Sequence, residues 1–193
     1  MQQAHCRYGD ACSSSTWPQS ARSSMMKSKW RTRVPWVTKL RPELKPKVVA
    51  NPRGRGTMLV PTPLLVAEEV RRVRRGRLVT PAELRERLAA RFGADQTCPL
   101  TMGILLHIVA GAAEEQLAAG KRPVAPYWRV IDERGTLNPK TPPGPGRQAW
   151  HLRREGHVVR RMSGSGEWQV VGHERRVVRV RPNSALRRTR RLS

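Results

Sequence analysis

Three kinds of chemistry are within reach of the residue types in this chain. The first is nucleophilic: Cys98 stands immediately before Pro99, at a helix start whose partial positive charge would lower a thiol pKa. No histidine or other base is near it in sequence, so a small buried thiol is the competing reading. The second is metal binding. His5, Cys6, Asp10 and Cys12 are ligand types, but their spacing matches no strong site, and neither a metal nor a cofactor is expected. The third is aromatic. Tyr127 and Trp128 lie between Pro126 and the run Arg129-Val130-Ile131. A phenol with an unperturbed pKa of ~10 and no adjacent base stays protonated at neutral pH. Two adjacent rings can instead stack on nucleobases, worth ~1–3 kcal/mol per base, or fill a core. Asn138 and Lys140 can hydrogen-bond a base or a phosphate, or only shape a turn. Arg71, Arg72, Arg74, Arg75 and Arg77 form a dense cluster for which phosphate contact and a solvated face are both open.

These residues need elements to position them. Thr62-Pro63 reads as an N-cap followed by proline at the first helical position, with Val66, Val70 and Val73 at helical spacing and Gly76 as terminator. Residues 77–79 form an extended link. Thr80-Pro81-Ala82-Glu83 opens a second helix with a capping-box pattern; Leu84, Leu88 and Phe92 make its buried face, and Gly93 ends it. A third helix spans Pro99 to Ala119, and its stretch from Leu100 to Val109 is apolar almost all round, which predicts burial. An extended segment from Val124 to Asp132 follows, then a Pro/Gly-rich loop from Asn138 to Gly146, then a helix from Arg147 to Arg154. A hairpin is expected from Trp168–Val171 and Val177–Arg181, joined through Gly172, before a basic tail from Arg187 to Ser193. Residues 1–56 hold Asp10 and Glu43 as their only acids and are expected to be mostly disordered, with Trp30, Trp36 and Val37 docking on the domain, the favoured use, or stacking on bases. The reading is thus a mainly α, winged-helix or helix-turn-helix-like domain over 57–160 with short β segments. Basic flexible termini flank it, the C-terminal one covering 161–193.

Charge points to a class of partner without deciding it, because an Arg-rich composition bias with solvated charge is the competing reading. Lys and Arg number 38 against 14 Asp and Glu, a net charge of +24, with a pI near 11.8. Such an excess opposes compaction and favours a polyanion, because each neutralised phosphate releases a condensed counterion. No apolar run approaches a membrane span and no signal-peptide pattern is present, so no membrane partner is expected. Three cysteines make no disulfide framework, which suits a reducing compartment. The expectation is a cytoplasmic monomer, nucleoid-associated if bacterial.

Four landmarks in order then resemble one family. Gly76-Arg77-Leu78-Val79-Thr80 followed by Glu83-Leu84, the segment Pro126-Tyr127-Trp128-Arg129-Val130-Ile131, Gly135 with its Pro/Gly-rich loop, and Leu152 with Glu155-Gly156-His157 have compatible spacing. Residues 66–159 resemble the C-terminal DNA-binding domain of the 6-O-alkylguanine-DNA alkyltransferases. In that family a cysteine thiolate, activated by a histidine held through water to a glutamate, takes the alkyl group from a flipped guanine. The resemblance places Tyr127 at the acceptor position and Trp128 at the histidine position, leaving Glu155 as the counterpart of the relay acid. It implies that suicide alkyl transfer is lost here, as in alkyltransferase-like proteins that bind alkylated guanine without repairing it. The family's base-rotating tyrosine aligns with Pro81. Its arginine finger falls where this chain reads Ala112-Ala113-Glu114-Glu115, with Lys121 or Arg122 as substitutes. The resemblance gives Arg129 a structural role, tying its segment to the rest of the domain.

Three functions compete on this basis. A non-catalytic DNA-binding protein, sensing alkylated guanine, would line its base pocket with Tyr127, Trp128, Arg129, Asn138 and Lys140. It would meet duplex DNA through Thr80, Thr101, Arg74, Arg75, Arg77, Lys121 and Arg122, with the third helix in the minor groove. A residual alkyltransferase would use Cys98 and show a covalent mass shift that Cys98→Ala abolishes. An undiscriminating binder of DNA or RNA would lose affinity with salt regardless of base identity.

Overall fold

Thr62 and Thr80 start two helices in the same way. In this computed structural model, which describes residues 34–52, 54–142 and 144–179, helix α1 is Pro63–Arg71 and helix α2 is Pro81–Phe92. The Thr62 hydroxyl accepts from the Leu65 amide at 3.4 Å, and that of Thr80 from the Glu83 amide at 3.2 Å. Each cap satisfies one orphan donor, and a proline follows where no amide is needed. Gly93, at φ 63, ends α2 in the left-handed conformation that glycine adopts without strain.

The turn after α2 is pinned rather than loose. Strand β1 (Lys47–Ala50) pairs antiparallel with β2 (Thr57–Val60), and β2 pairs in parallel with the two-residue β3 (Gln96–Thr97). The Asp95 carboxylate accepts from the Thr57 amide at 2.8 Å, and the Cys98 amide donates to the Leu59 carbonyl at 2.9 Å. Helix α3 (Pro99–Ala118) leaves this turn, so α2, turn and α3 make the expected helix-turn-helix order. Helix α4 (Pro145–Arg154) begins two residues earlier than expected, because Pro145 suits a first helical position.

Two cores share α3. Met102, Leu105 and Val109 pack with Leu59, Val66, Val70, Leu84 and Leu88. Ala110 and Ala113 pack with Leu78, Tyr127, Trp128, Ile131, Ala149 and Leu152. The expected burial of residues 100–109 is corrected here. Leu100 is 72% exposed and Ile104 55%, and the densest burial lies further on, from Val109 to Ala113. Small residues there let neighbouring chains approach closely, whereas in the first turns only one side is covered: Met102 and Leu105 enter the core and Leu100 and Ile104 stay outside it.

Three further expectations change. The fold takes in residues ahead of Thr57: β1, and a 3-10 turn at Val37–Leu40 that lies on α3. Trp36 sits over Gly111, where an added Cβ would fall 2.5 Å from its indole, and the Glu115 carboxylate accepts from the Trp36 and Val37 amides at 2.8 and 2.9 Å. Second, the segment 124–132 holds a 3-10 turn at Tyr127–Arg129. Third, the hairpin joins β4 (Val159–Arg161) to β5 (Trp168–Val170), antiparallel. Gly172 leads into a 3-10 turn at His173–Arg175, and Val177 bridges to Leu78 instead. Leu78 is fully buried and its amide donates to the Arg176 carbonyl, so the C-terminal segment satisfies the link between α1 and α2. His5, Cys6, Asp10, Cys12, Trp30 and the tail from Arg187 lie outside the described residues.

Candidate functional site

Pro126 sets the turn that aims Tyr127 and Trp128 inward. The Arg129 amide donates to the Pro126 carbonyl at 3.1 Å and the Val130 amide to that of Tyr127 at 3.0 Å. The segment is tied to the extended link by the Val79 amide on the Arg129 carbonyl and the Ile131 amide on the Val79 carbonyl, both at 3.0 Å. A short turn on a fixed strand therefore places the two rings between α3 and α4.

Two partly buried carboxylates organise what surrounds them. Glu114, on α3, accepts from the Tyr127 hydroxyl at 2.9 Å, from the Arg147 Nε at 3.1 Å and from His151 Nε2 at 3.0 Å. Burial pushes the Glu114 carboxyl up. The His151 hydrogen bond, the Arg147 charge and the Tyr127 hydroxyl together outweigh it and hold the group below the usual carboxylate range. Tyr127 moves the opposite way: burial, then the Glu114 charge and hydrogen bond, push its phenol well above its ordinary value. The hydroxyl stays protonated and donates to Glu114. Burial lowers His151, partly offset by Glu114, and the neutral ring can donate its Nε2 proton to a carboxylate that only accepts.

Glu155 is the second organiser. It accepts from the Trp128 indole Nε1 at 2.6 Å, from Arg129 Nε and a terminal guanidinium nitrogen at 2.9 and 2.8 Å, and from the Gly76 amide at 3.2 Å. Burial raises its pKa, but Arg129, Trp128 and Gly76 lower it further and the net shift is down. Arg129 also donates to the Val73 carbonyl, joining the site turn to the end of α1. Gln148 closes the arrangement by donating to the carbonyls of Trp128 at 3.2 Å and Val130 at 2.7 Å.

Ring packing leaves little of this open. Tyr127 is 3% exposed and Trp128 9%, and the His151 ring stacks on Trp128 at 4.1 Å with an interplanar angle of 10°. Tyr127 meets Trp128 edge-on at 5.6 Å. A cavity of about 270 Å³ lies elsewhere, beside the start of α2, lined by Pro81, Ala82, Arg85, Asp132, Glu133 and Arg134.

The other sequence candidates scatter. The Asn138 side chain accepts from the Lys140 amide at 2.9 Å in an exposed turn. Thr80 is buried and spends its hydroxyl on the α2 cap, while Thr101 donates to the Cys98 sulfur at 3.2 Å. Arg74, Arg75 and Arg77 are exposed around Gly76, and Lys121 and Arg122 are exposed beyond α3. Cys98 and Glu114 stand sixteen residues apart on one helix, about 24 Å along its axis, so Cys98 is remote from the Tyr127 turn. Sequence reasoning missed Glu114, Arg147, His151 and Gln148. The available signal was the i, i+4, i+8 spacing of Arg147, His151 and Glu155 beside Ala149 and Leu152, which puts polar groups along the buried side of a short helix. Among the described residues no group of three or more His, Cys, Asp or Glu is placed to hold a metal ion, and no helix is long and apolar enough to cross a membrane.

Comparison with known proteins returns two solved structures. One is S. pombe Atl1 in complex with damaged DNA containing O6-carboxymethylguanine, at 21% identity and a TM-score of 0.44, covering 61% of this chain and 94% of the other. The second is S. pombe ATL in complex with DNA, at 22% identity and a TM-score of 0.42, covering 60% of this chain and 92% of the other. No protein-family model matches the chain, and no curated protein matches it.

Proposed function

We propose that this chain is a non-catalytic protein that binds double-stranded DNA. The observation that carries the reading is the state of the position where the resemblance puts an acceptor thiolate. Tyr127 is buried, protonated and donating to Glu114, while Trp128 donates directly to Glu155 in place of a histidine relay. The helix-turn-helix order is kept and the transfer chemistry is gone. The net charge of +24 supplies the attraction to phosphate that such a scaffold needs.

A narrower form, a sensor of alkylated guanine, is favoured by one observation. Tyr127, Trp128 and His151 gather three rings on the segment where the resemblance places the base pocket. A base turned out of the duplex would take the place of His151 on the Trp128 face, since stacking on an aromatic ring is worth ~1–3 kcal/mol.

The test is a titration of the full chain against two matched duplexes, one with a single 6-O-methylguanine and one with guanine, at two salt concentrations. Binding to both, fading together with salt, supports the general reading and overturns the sensor. A preference for the lesion that persists at the higher salt supports the sensor. No binding to either duplex at low salt overturns both. Mass spectrometry on the same mixtures is expected to show no covalent adduct.

A further inference from the structure

Helix α3 holds the position of a recognition helix yet has no Lys or Arg among its twenty residues. Its open face near the start carries Leu100, Gly103 and Ile104. Cations are gathered elsewhere, and the sequence run Arg71-Arg72-Val73-Arg74-Arg75 divides between two surroundings. Arg72 turns to Glu68 and Glu69 at 2.9 and 2.6 Å, and Arg91 joins the same acids. Arg75 goes the other way, to the Arg154 carbonyl, and Arg74 is exposed beside it.

Around Gly76 three separate parts of the chain converge. Arg75 donates to the Arg154 carbonyl at 2.8 Å, and Arg77 to the Arg175 carbonyl at 3.4 Å. A Cβ on Gly76 would lie 3.9 Å from the Arg176 guanidinium, which places that charge against the same point. Arg74, Arg75, Arg77, Arg175 and Arg176 are all exposed, and none meets a carboxylate at ion-pair distance among the described residues. Of the acids nearby among the described residues, Glu155 holds Arg129, Trp128 and the Gly76 amide, and Glu174 is exposed, 3.5 Å from His173. Carbonyl partners orient Arg75 and Arg77 without neutralising them.

We propose that this arginine surface around Gly76 binds the phosphate backbone of double-stranded DNA, at a place separate from the helix pair α2 and α3. Like charges brought together oppose folding, and a polyanion offsets that repulsion. Guanidinium is the group suited to it, because its planar fork can meet two phosphate oxygens at once. Holding Arg75 and Arg77 by backbone carbonyls fixes their direction before the ligand arrives and lowers the ordering cost of binding. None of the five arginines lies on α2 or α3, so backbone contact here is independent of what α3 reads. The proposal rests on the DNA-binding reading above.

The experiment uses the full chain and a mixed-sequence duplex, with binding measured by anisotropy over a range of salt. One variant combines Arg74→Gln, Arg175→Gln and Arg176→Gln, positions whose side chains hold no hydrogen bond among the described residues. A second combines Lys121→Gln and Arg122→Gln beyond the end of α3. The slope of log K against log salt is expected to fall by about 2 to 3 in the first variant, since each phosphate contact contributes about 0.9. Circular dichroism melting checks that it folds. An unchanged slope in the first variant overturns the proposal, and so does a loss confined to the second variant. Loss of affinity for a matched RNA duplex with DNA binding intact overturns it as a DNA surface. Failure of the unaltered chain to bind duplex DNA at low salt overturns the underlying reading instead.

Discussion

Glu155 and Glu114 each serve several donors, and single-residue changes there should act through what they leave behind. Removing the Glu155 charge strands Arg129, which is partly buried and has that carboxylate as its ion-pair partner. Glu155→Gln is therefore expected to destabilise the fold by about 3–5 kcal/mol, the range for breaking a buried pair, read from the midpoint of denaturant unfolding. A loss under about 1 kcal/mol, as for an exposed pair, would show that the pair is not structural. The buried histidines set a pH dependence. His151 and His157 are both lowered, first by burial, so the folded state holds them neutral. Their contribution is fully present above the ordinary imidazole value of ~6.5 and is lost as pH falls from there toward the folded values. Glu114 and Glu155 are also lowered, and their contribution is lost only further down, as pH falls through the carboxylate range. Stability should thus begin to drop below about pH 6.5. His151→Gln, which keeps a donor for Glu114, should flatten that first slope, and an unchanged slope would clear His151 as its source. Tyr127, Trp128 and Glu155 were legible in the sequence because they sit in ordered motifs. Glu114 was not, because its partners Arg147 and His151 lie 33 and 37 residues away. Nothing in a helix of alanines says which face an acid will take.

Helix starts were readable for a local reason: threonine followed by proline satisfies one end of a helix whatever lies around it. Pairings across long separations were not. The β4–β5 hairpin and the bridge from Leu78 to Val177 depend on which strand the link between α1 and α2 needs, and turn residues alone do not decide that. Docking of Trp36 was expected, but where this strap docks was not legible, since a tryptophan in a basic stretch has no periodicity to place it. Its receptor is Gly111 on α3. Glycine inside a helix ordinarily weakens it by about 1 kcal/mol relative to alanine, so Gly111→Ala would stabilise a helix with nothing above it. Here the added Cβ would meet the indole at 2.5 Å. Gly111→Ala is expected to lower the melting temperature in the full chain and to raise it once Trp36→Ala has removed the ring. The same sign in both backgrounds would mean that the strap does not sit on α3.

The whole molecule carries +24 on 193 residues, and its cations are unevenly matched. Acids meet arginine at the α1–α2 edge, through Glu68 and Glu69, and inside, through Glu114 and Glu155. Around Gly76 and beyond α3 the arginines and lysines are exposed and carry net positive potential. Two opposing effects of salt follow. Screening weakens the exposed pairs of Arg72 and Arg91, which are weak to begin with. It also relieves repulsion summed over the whole surface, which at low ionic strength extends beyond ~10 Å. With so large an excess of one sign the second effect should win. The melting temperature is expected to rise as salt increases from about 10 mM to about 200 mM, a span over which the screening length falls from about 30 Å to under 10 Å. A polyanion added at low salt should raise it further by binding the folded chain. A melting temperature that falls with salt would mean that the few ion pairs outweigh the repulsion. The arginines around Gly76 would then be spaced widely enough to tolerate one another without a ligand.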